Sequence, residues 1–370
     1  MSFRSTPLFA GDLYDTALRL AQEDVLKPSA GEANSPSANW QQMLALGWQG
    51  VIVAEDDGGV GASLQDLSAI VEAVARMGNG APLVDRCAVA PFLLSEAKKH
   101  PQAAQLLSAL MSGEVSVCTF LDAGEMGPGH LSAPLLATDH SLQGELSGID
   151  LSEPATHVLF RTRDVAAQES VLVWMNWHDL TGRVKTYTGV DGRQYADATL
   201  SGLSLKTDQI LLRGKAAASA VSKARQIGAL LSCVQTVGAA AAMIELSIEY
   251  LNTRQQFGVA LSSFQALRHR TVEMYVAYEN ARGLVLNQIE HVDAHGLTQD
   301  PYNITLIKLY LAGLARLVSE SSIQLHGGMG MSWETLVARL AMQAMTGSLQ
   351  NAGPSECLDW LTAQTLTESI

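Results

Sequence analysis

The chain has 370 residues, 47% hydrophobic and 16% charged, which is enough to bury more than one core and to form two or three domains. A formal net charge of −13 argues against a nucleic-acid partner, whose phosphate backbone needs a basic face, and against an anionic membrane surface. No uninterrupted apolar run reaches about eighteen residues, so no membrane span is expected.

The N-terminus, MSFRSTPLFAGDLYDTAL, reaches an acid at Asp12 without a long apolar run or a small-residue cleavage site, and does not read as a signal peptide. To about residue 112 the chain reads as helical. DLYDTALRLAQEDVL and NWQQMLALGW carry apolar residues at helical spacing, and KPSAGEANSPSAN between them is a loop by composition. VIVAEDDGGVGASLQDLSAIVEAVARMG is a short apolar run, an acidic Gly turn and a long helix. With its acids ahead of the turn and no G-x-x-x-x-G-K, the turn is not a phosphate loop, and Gly58, Gly59 and Gly61 read as structural.

From 113 to 212 the texture changes to short runs rich in Val, Leu, Thr and Phe (EVSVCTFL, HVLFRT, SVLVWMN, ATLSGLSL), divided by turns such as VDGR. A small β-sandwich or barrel domain is expected there. From 213 onward helix returns: one very long, Ala-rich helix suited to close packing, further helices over 263–293 and 301–326, and a weaker segment from 333. The fold class expected is α+β, with an N-terminal helical domain (1–112), a middle β domain (113–212) and a C-terminal helical bundle (213–370).

Cys87, Cys118, Cys233 and Cys357 form no CxxC pair and read as four buried, reduced thiols of a cytoplasmic protein. G-x-S-x-G, H-E-x-x-H and a strand-to-helix G-x-G-x-x-G are all missing. His291 and His295 share a helical face without a third ligand, so they read as a solvated helix end and no metal site is expected.

Two stretches stand out. In NTRQQFGVALSSFQALRHR a helix runs into Arg254, breaks at Phe257-Gly258 and re-forms at FQALRHR. Arg254 there suits either a bidentate contact to a carboxylate or phosphate, or a surface position favoured by the helix dipole. In SSIQLHGGMGMSWE a buried amide, Gln324, is expected one turn before Gly327-Gly328, where missing side chains allow close backbone approach. Taken singly this stretch reads better as a helix stop.

As a pair they resemble something specific. R-x-x-F-G, then F-Q, then I-Q-x-x-G-G-x-G is similar to the acyl-CoA dehydrogenase flavoprotein family, and LGWQGVIVAEDDGGVGASLQDL, LQGELSGIDLSEPATHVLF and VDGRQYADATLSGLSL extend the resemblance over most of the chain. It implies FAD at a subunit interface, with this bundle contributing Arg254 to the diphosphate, Phe257 and Gln265 near the adenosine end, and Gln324 with Gly327 and Gly328 at the diphosphate and ribose. The implied reaction removes the α proton of an acyl-CoA thioester with a Glu while the β hydrogen leaves as hydride to the flavin.

That Glu is missing at both family positions. Counting from Gly327, the first holds Asn351; counting back from Arg254, the second falls at about Gly228. Neither an amide nor Gly can abstract a proton. Glu356 is the remaining candidate base, and otherwise Pro354-Ser355-Glu356 opens a last helix capped by Ser355. CTFLDAGEMGPGHLSAP also departs from the family's flavin-holding stretch, with Asp122 and Glu125 off the pattern. The resemblance therefore implies a cytoplasmic subunit that lends half an FAD site to a homologous acyl-CoA dehydrogenase chain, with electron-transfer flavoprotein as acceptor. A self-sufficient enzyme using Glu356 and a non-catalytic scaffold are the alternatives.

Overall fold

The computed structural model describes residues 4–25, 38–121, 134–298 and 300–367. Helices α1 (Asp12–Val25), α2 (Ala38–Ala45), α3 (Leu64–Arg76), α4 (Ala90–Glu96) and α5 (Pro101–Met111) come first. The acidic Gly turn ahead of α3 folds onto its own backbone: a Cβ on Gly59 would lie 2.2 Å from the Val53 carbonyl oxygen. That is the structural role expected of it.

α3 starts at a reciprocal Ser63–Asp66 capping box. Its first turn also donates to a distant acid, Leu64 and Gln65 N–H reaching the two oxygens of Asp293 at 2.9 Å each. The N-terminal helices are thereby fastened to the bundle. On the other side of α3, buried Arg76 bonds Glu72 at 2.9 Å and Glu245 at 3.0 Å, and Leu8 N–H donates to Glu72 at 2.7 Å.

Strands β1 (Val117–Phe120), β2 (Leu135–Leu136), β3 (Leu142–Gln143), β4 (Glu145–Asp150), β5 (His157–Asp164), β6 (Glu169–Asn176), β7 (Val184–Thr188), β8 (Gln194–Thr199) and β9 (Ile210–Arg213) form two sheets. One runs β3-β2-β5-β6-β9 with β1 parallel to β5; the other is β4-β8-β7. Leu146, Ile149 and Ala198 of the smaller sheet share a core with Val158, Phe160, Val171 and Val173 of the larger, which makes a sandwich. The alternate residues Leu159 and Leu172 join the helical core instead. β5 and β6 are buried on both faces over their central residues, which carry the unbroken apolar runs VLF and VLVWM for that reason.

The bundle follows as α6 (Gly214–Thr253), a short hairpin of β10 (Gln255–Gln256) and β11 (Val259–Ala260), α7 (Gln265–His295), α8 (Tyr302–His326), α9 (Leu336–Leu349) and α10 (Pro354–Thr367). α6 is apolar on every side because it is the core helix: its most hydropathic window would suit a membrane by length and composition, yet 94% of it is buried in the fold. Small residues let neighbours in, a Cβ on Gly238 lying 2.7 Å from the Glu72 carbonyl oxygen of α3. The four cysteines are buried and free. His291 and His295 are exposed in the last turns of α7. Ser355 is not the cap of α10. Gly353 precedes the helix, and its N–H donates 2.7 Å to Glu356, three residues on.

Candidate functional site

The two Gly-bearing breaks meet in space. Arg254 closes α6, its N–H donating to the Tyr250 carbonyl at 2.8 Å, and its own carbonyl accepts from Leu261 N–H at 2.9 Å. Between these bonds Phe257 and Gly258 turn the chain at φ 55° and 81°, and α7 begins at Gln265. α8 stops at Gly327, φ 60°, and runs into a 3₁₀ turn, Gly327–Met331. The join is a ring stack: Tyr250, one turn before Arg254, lies 4.6 Å from His326, which immediately precedes the Gly pair. Neither ring is singled out by the sequence, although His326 lies within the second motif and Tyr250 four residues before Arg254 of the first.

Around this join Arg254, Gln265, Gln324, Gly327 and Gly328 are all exposed, and Phe257 is 90% exposed. The expectation of a buried Gln324 is corrected. Leu325 and His326 take the inward directions of that turn, which points Gln324 to solvent. The glycines also divide by purpose. A Cβ on Gly330 would sit 2.5 Å from the Ile323 carbonyl, so packing requires that glycine, and positive φ favours one at 327. Gly328 has neither constraint, with nothing within 4 Å of its Cβ position. The surface is an exposed guanidinium and amides beside bare backbone, groups that suit a dinucleotide's phosphates and ring edges.

The two positions where a base was sought also meet. A Cβ on Gly228 would lie 2.6 Å from Asn351 Oδ1, so the amide occupies the space of the missing side chain. Asn351 takes left-handed backbone at φ 54°, and its Nδ2 donates 3.0 Å to Ser232 Oγ, which donates 2.8 Å to the Gly228 carbonyl. Glu356, which lines a cavity with Asn351, has its Oε2 bonded by Gly353 N–H.

Asn351 lines two adjoining cavities, and Arg225 of α6 lines both as well. The larger, about 510 Å³, is bounded by α6, α8 and α10 and carries Arg161, Arg225 and Lys308, with Asp300 as its one lining acid among the described residues. Lys308 is 2% exposed and donates to the Gly347 carbonyl at 2.8 Å; burial lowers its pKa. The smaller, about 310 Å³, lies between the helices and the β sandwich, with Asp85, Asp150 and Glu356 as its lining carboxylates among the described residues. Asp150 pairs with Arg193 at 3.3 Å. The Asp122 and Glu125 segment lies outside the described residues.

Two family models match the chain, the acyl-CoA dehydrogenase N-terminal domain over residues 11–114 and its C-terminal domain over 218–365. The chain belongs to the acyl-CoA dehydrogenase family. Members are FAD-dependent oxidoreductases acting on acyl-CoA, and FAD is the cofactor that goes with this fold. The chain is 25% identical to the acyl-CoA dehydrogenase IpdE2 of Mycobacterium tuberculosis over 289 residues, 78% of this chain and 74% of that one. Against IpdE2 of Mycolicibacterium smegmatis the match is 32% over 126 residues, spanning 34% of this chain and 38% of that protein's length. Among solved structures it superposes on the Tcur3481-Tcur3483 steroid ACAD (TM-score 0.81, 20% identity, 97% and 98% of the two chains). It also superposes on the ChsE4-ChsE5 complex of Mycobacterium tuberculosis (0.79, 17%, 98% and 99%). A glutaryl-CoA dehydrogenase of Mycobacterium smegmatis bound to FADH2 shares the acyl-CoA dehydrogenase fold at 0.77, with 17% identity over 97% and 95%.

Proposed function

We propose that this chain is one subunit of a heteromeric acyl-CoA dehydrogenase, acting beside a homologous chain that supplies the base. The observation that carries the reading is Asn351 lodged against Gly228, an amide and a bare glycine at the two positions where the family resemblance puts the base; the exposed Arg254 surface supports it by suiting a neighbour's FAD. In the assembly Arg254 would hold the diphosphate, Phe257 and Gln265 the adenosine end, and Gln324 with Gly327 and Gly328 the diphosphate and ribose. When bound, FAD takes the β hydrogen of the acyl group as hydride. The work of this chain's residues is then binding and orientation: guanidinium to phosphate, and bare backbone against the dinucleotide.

Two solved neighbours of two-component description, the Tcur3481-Tcur3483 and ChsE4-ChsE5 assemblies, support a partnered subunit, and the first of them supports a bulky steroid-type acyl group. The basic lining of the larger cavity, in a chain of net charge −13, suits the phosphates of coenzyme A. We place the assembly in the cytoplasm with electron-transfer flavoprotein as acceptor. Purifying the chain alone and with a homologous subunit, then measuring bound FAD and acyl-CoA oxidation by an artificial acceptor, tests the reading. Flavin and turnover are expected from the pair only. Yellow, active protein from this chain alone would overturn it and return Glu356, which lines the cavity beside Asn351, as the base.

A further inference from the structure

The smaller cavity holds a carboxylate that the proposed FAD contacts do not use. Asp85 opens a π-helical turn, Asp85–Val89, and such single turns commonly accompany functional sites. Its two oxygens accept from Thr119 of β1, one from the hydroxyl and one from the N–H at 3.2 Å. Arg86 Nε stands 3.5 Å away, but the two terminal nitrogens of that guanidinium are committed to Ser116, Asp150 and Glu153. The Asp85 side chain keeps 20% of its exposure, and it lines the cavity. Burial pushes its pKa up to about 6 against the pull of Arg86 and Thr119. Facing the cavity from the other elements are Asp150 and Arg193, which neutralise each other, then Arg225 on α6 and Glu356 on α10.

A cavity for a plain hydrocarbon tail gains nothing from a carboxylate at its wall, and Thr119 fills only two of the roughly four acceptor sites that its two oxygens offer. An orientated acceptor of this kind matches a hydroxyl donor. We propose that this cavity takes the acyl part of a hydroxylated acyl-CoA, with Asp85 accepting the hydrogen bond of the hydroxyl group. This rests on the reading of the chain as an acyl-CoA-binding subunit, and it assigns Asp85 a part in selecting the substrate.

The test is equilibrium binding, by calorimetry on the heteromeric complex and on this chain alone, of hexanoyl-CoA and its 3-, 5- and 6-hydroxy derivatives. At pH 8 at least one hydroxylated thioester is expected to bind about tenfold or more tighter than hexanoyl-CoA, the usual scale of a hydrogen bond to a charged group. Asp85→Asn, which keeps an oxygen for Thr119, should bring that preference within about twofold while the melting temperature holds or rises. In the wild type the preference should shrink between pH 8 and pH 5 as the carboxylate takes up its proton. Equal binding of all four thioesters, or a preference that survives both Asp85→Asn and Asp85→Ala, would overturn the inference and leave Asp85 a staple between β1 and the helices. Binding of none of them would overturn it together with the acyl-CoA reading itself, so the two failures are distinguishable.

Discussion

On the proposed reading Arg254 separates stability from binding. Among the described residues its guanidinium makes no hydrogen bond or ion pair, and only its backbone caps α6. Arg254→Ala should leave stability within about 0.5 kcal/mol, as exposed substitutions usually do, yet weaken FAD binding by the complex by about 2 kcal/mol, roughly thirtyfold. Flavin titration beside thermal melting reads both. At Gly228 the expectation reverses. A methyl there meets Asn351 Oδ1, so Gly228→Ala should cost about 1–3 kcal/mol, and Asn351→Ala in the same chain should return most of it. Asp85 has its own signature: because its folded pKa of about 6 lies above the ordinary 3.8, folding stability falls as pH rises through that window. Asp85→Asn should remove about 3 kcal/mol of that fall, visible as a flatter denaturation midpoint between pH 4 and 6.

At the scale of elements, helices and strands were legible because burial has a period: α6, α7 and α8 fall close to where apolar spacing places them, and the strands show as apolar runs bounded by turns. Orientation within an element was harder to read. Gln324 looked buried because its neighbours are apolar, but those neighbours hold the inward directions. Contacts distant in sequence were hidden as well, Asn351 on Gly228 and Asp293 on α3 among them, since no local pattern announces which side chain arrives from elsewhere. The Gly turn after α8 makes an internal comparison. Gly330→Ala must displace the Ile323 carbonyl and should cost about 1–3 kcal/mol in urea unfolding, whereas Gly328→Ala, with open space around it, should spare the fold and weaken flavin binding instead.

Across the whole molecule the N-terminal segment, α3 and α6 are joined by one buried charge cluster. Glu72→Ala would leave buried Arg76 with Glu245, Ser5 and the Tyr14 ring as its remaining partners among the described residues and strip Leu8 N–H of its acceptor. A loss of about 3–5 kcal/mol is expected, far above that of a surface pair, and calorimetric melting would show it. Asn351 and Gly228 have a consequence of another kind, which concerns the positions at which a carboxylate could be introduced between α6 and the segment before α10. A carboxylate cannot be returned at 228 without first evicting the amide, because the two compete for one volume. At 351 it can, because an aspartate has the shape of the amide already lodged there. On the proposed reading the path back is one-sided, through position 351 before position 228.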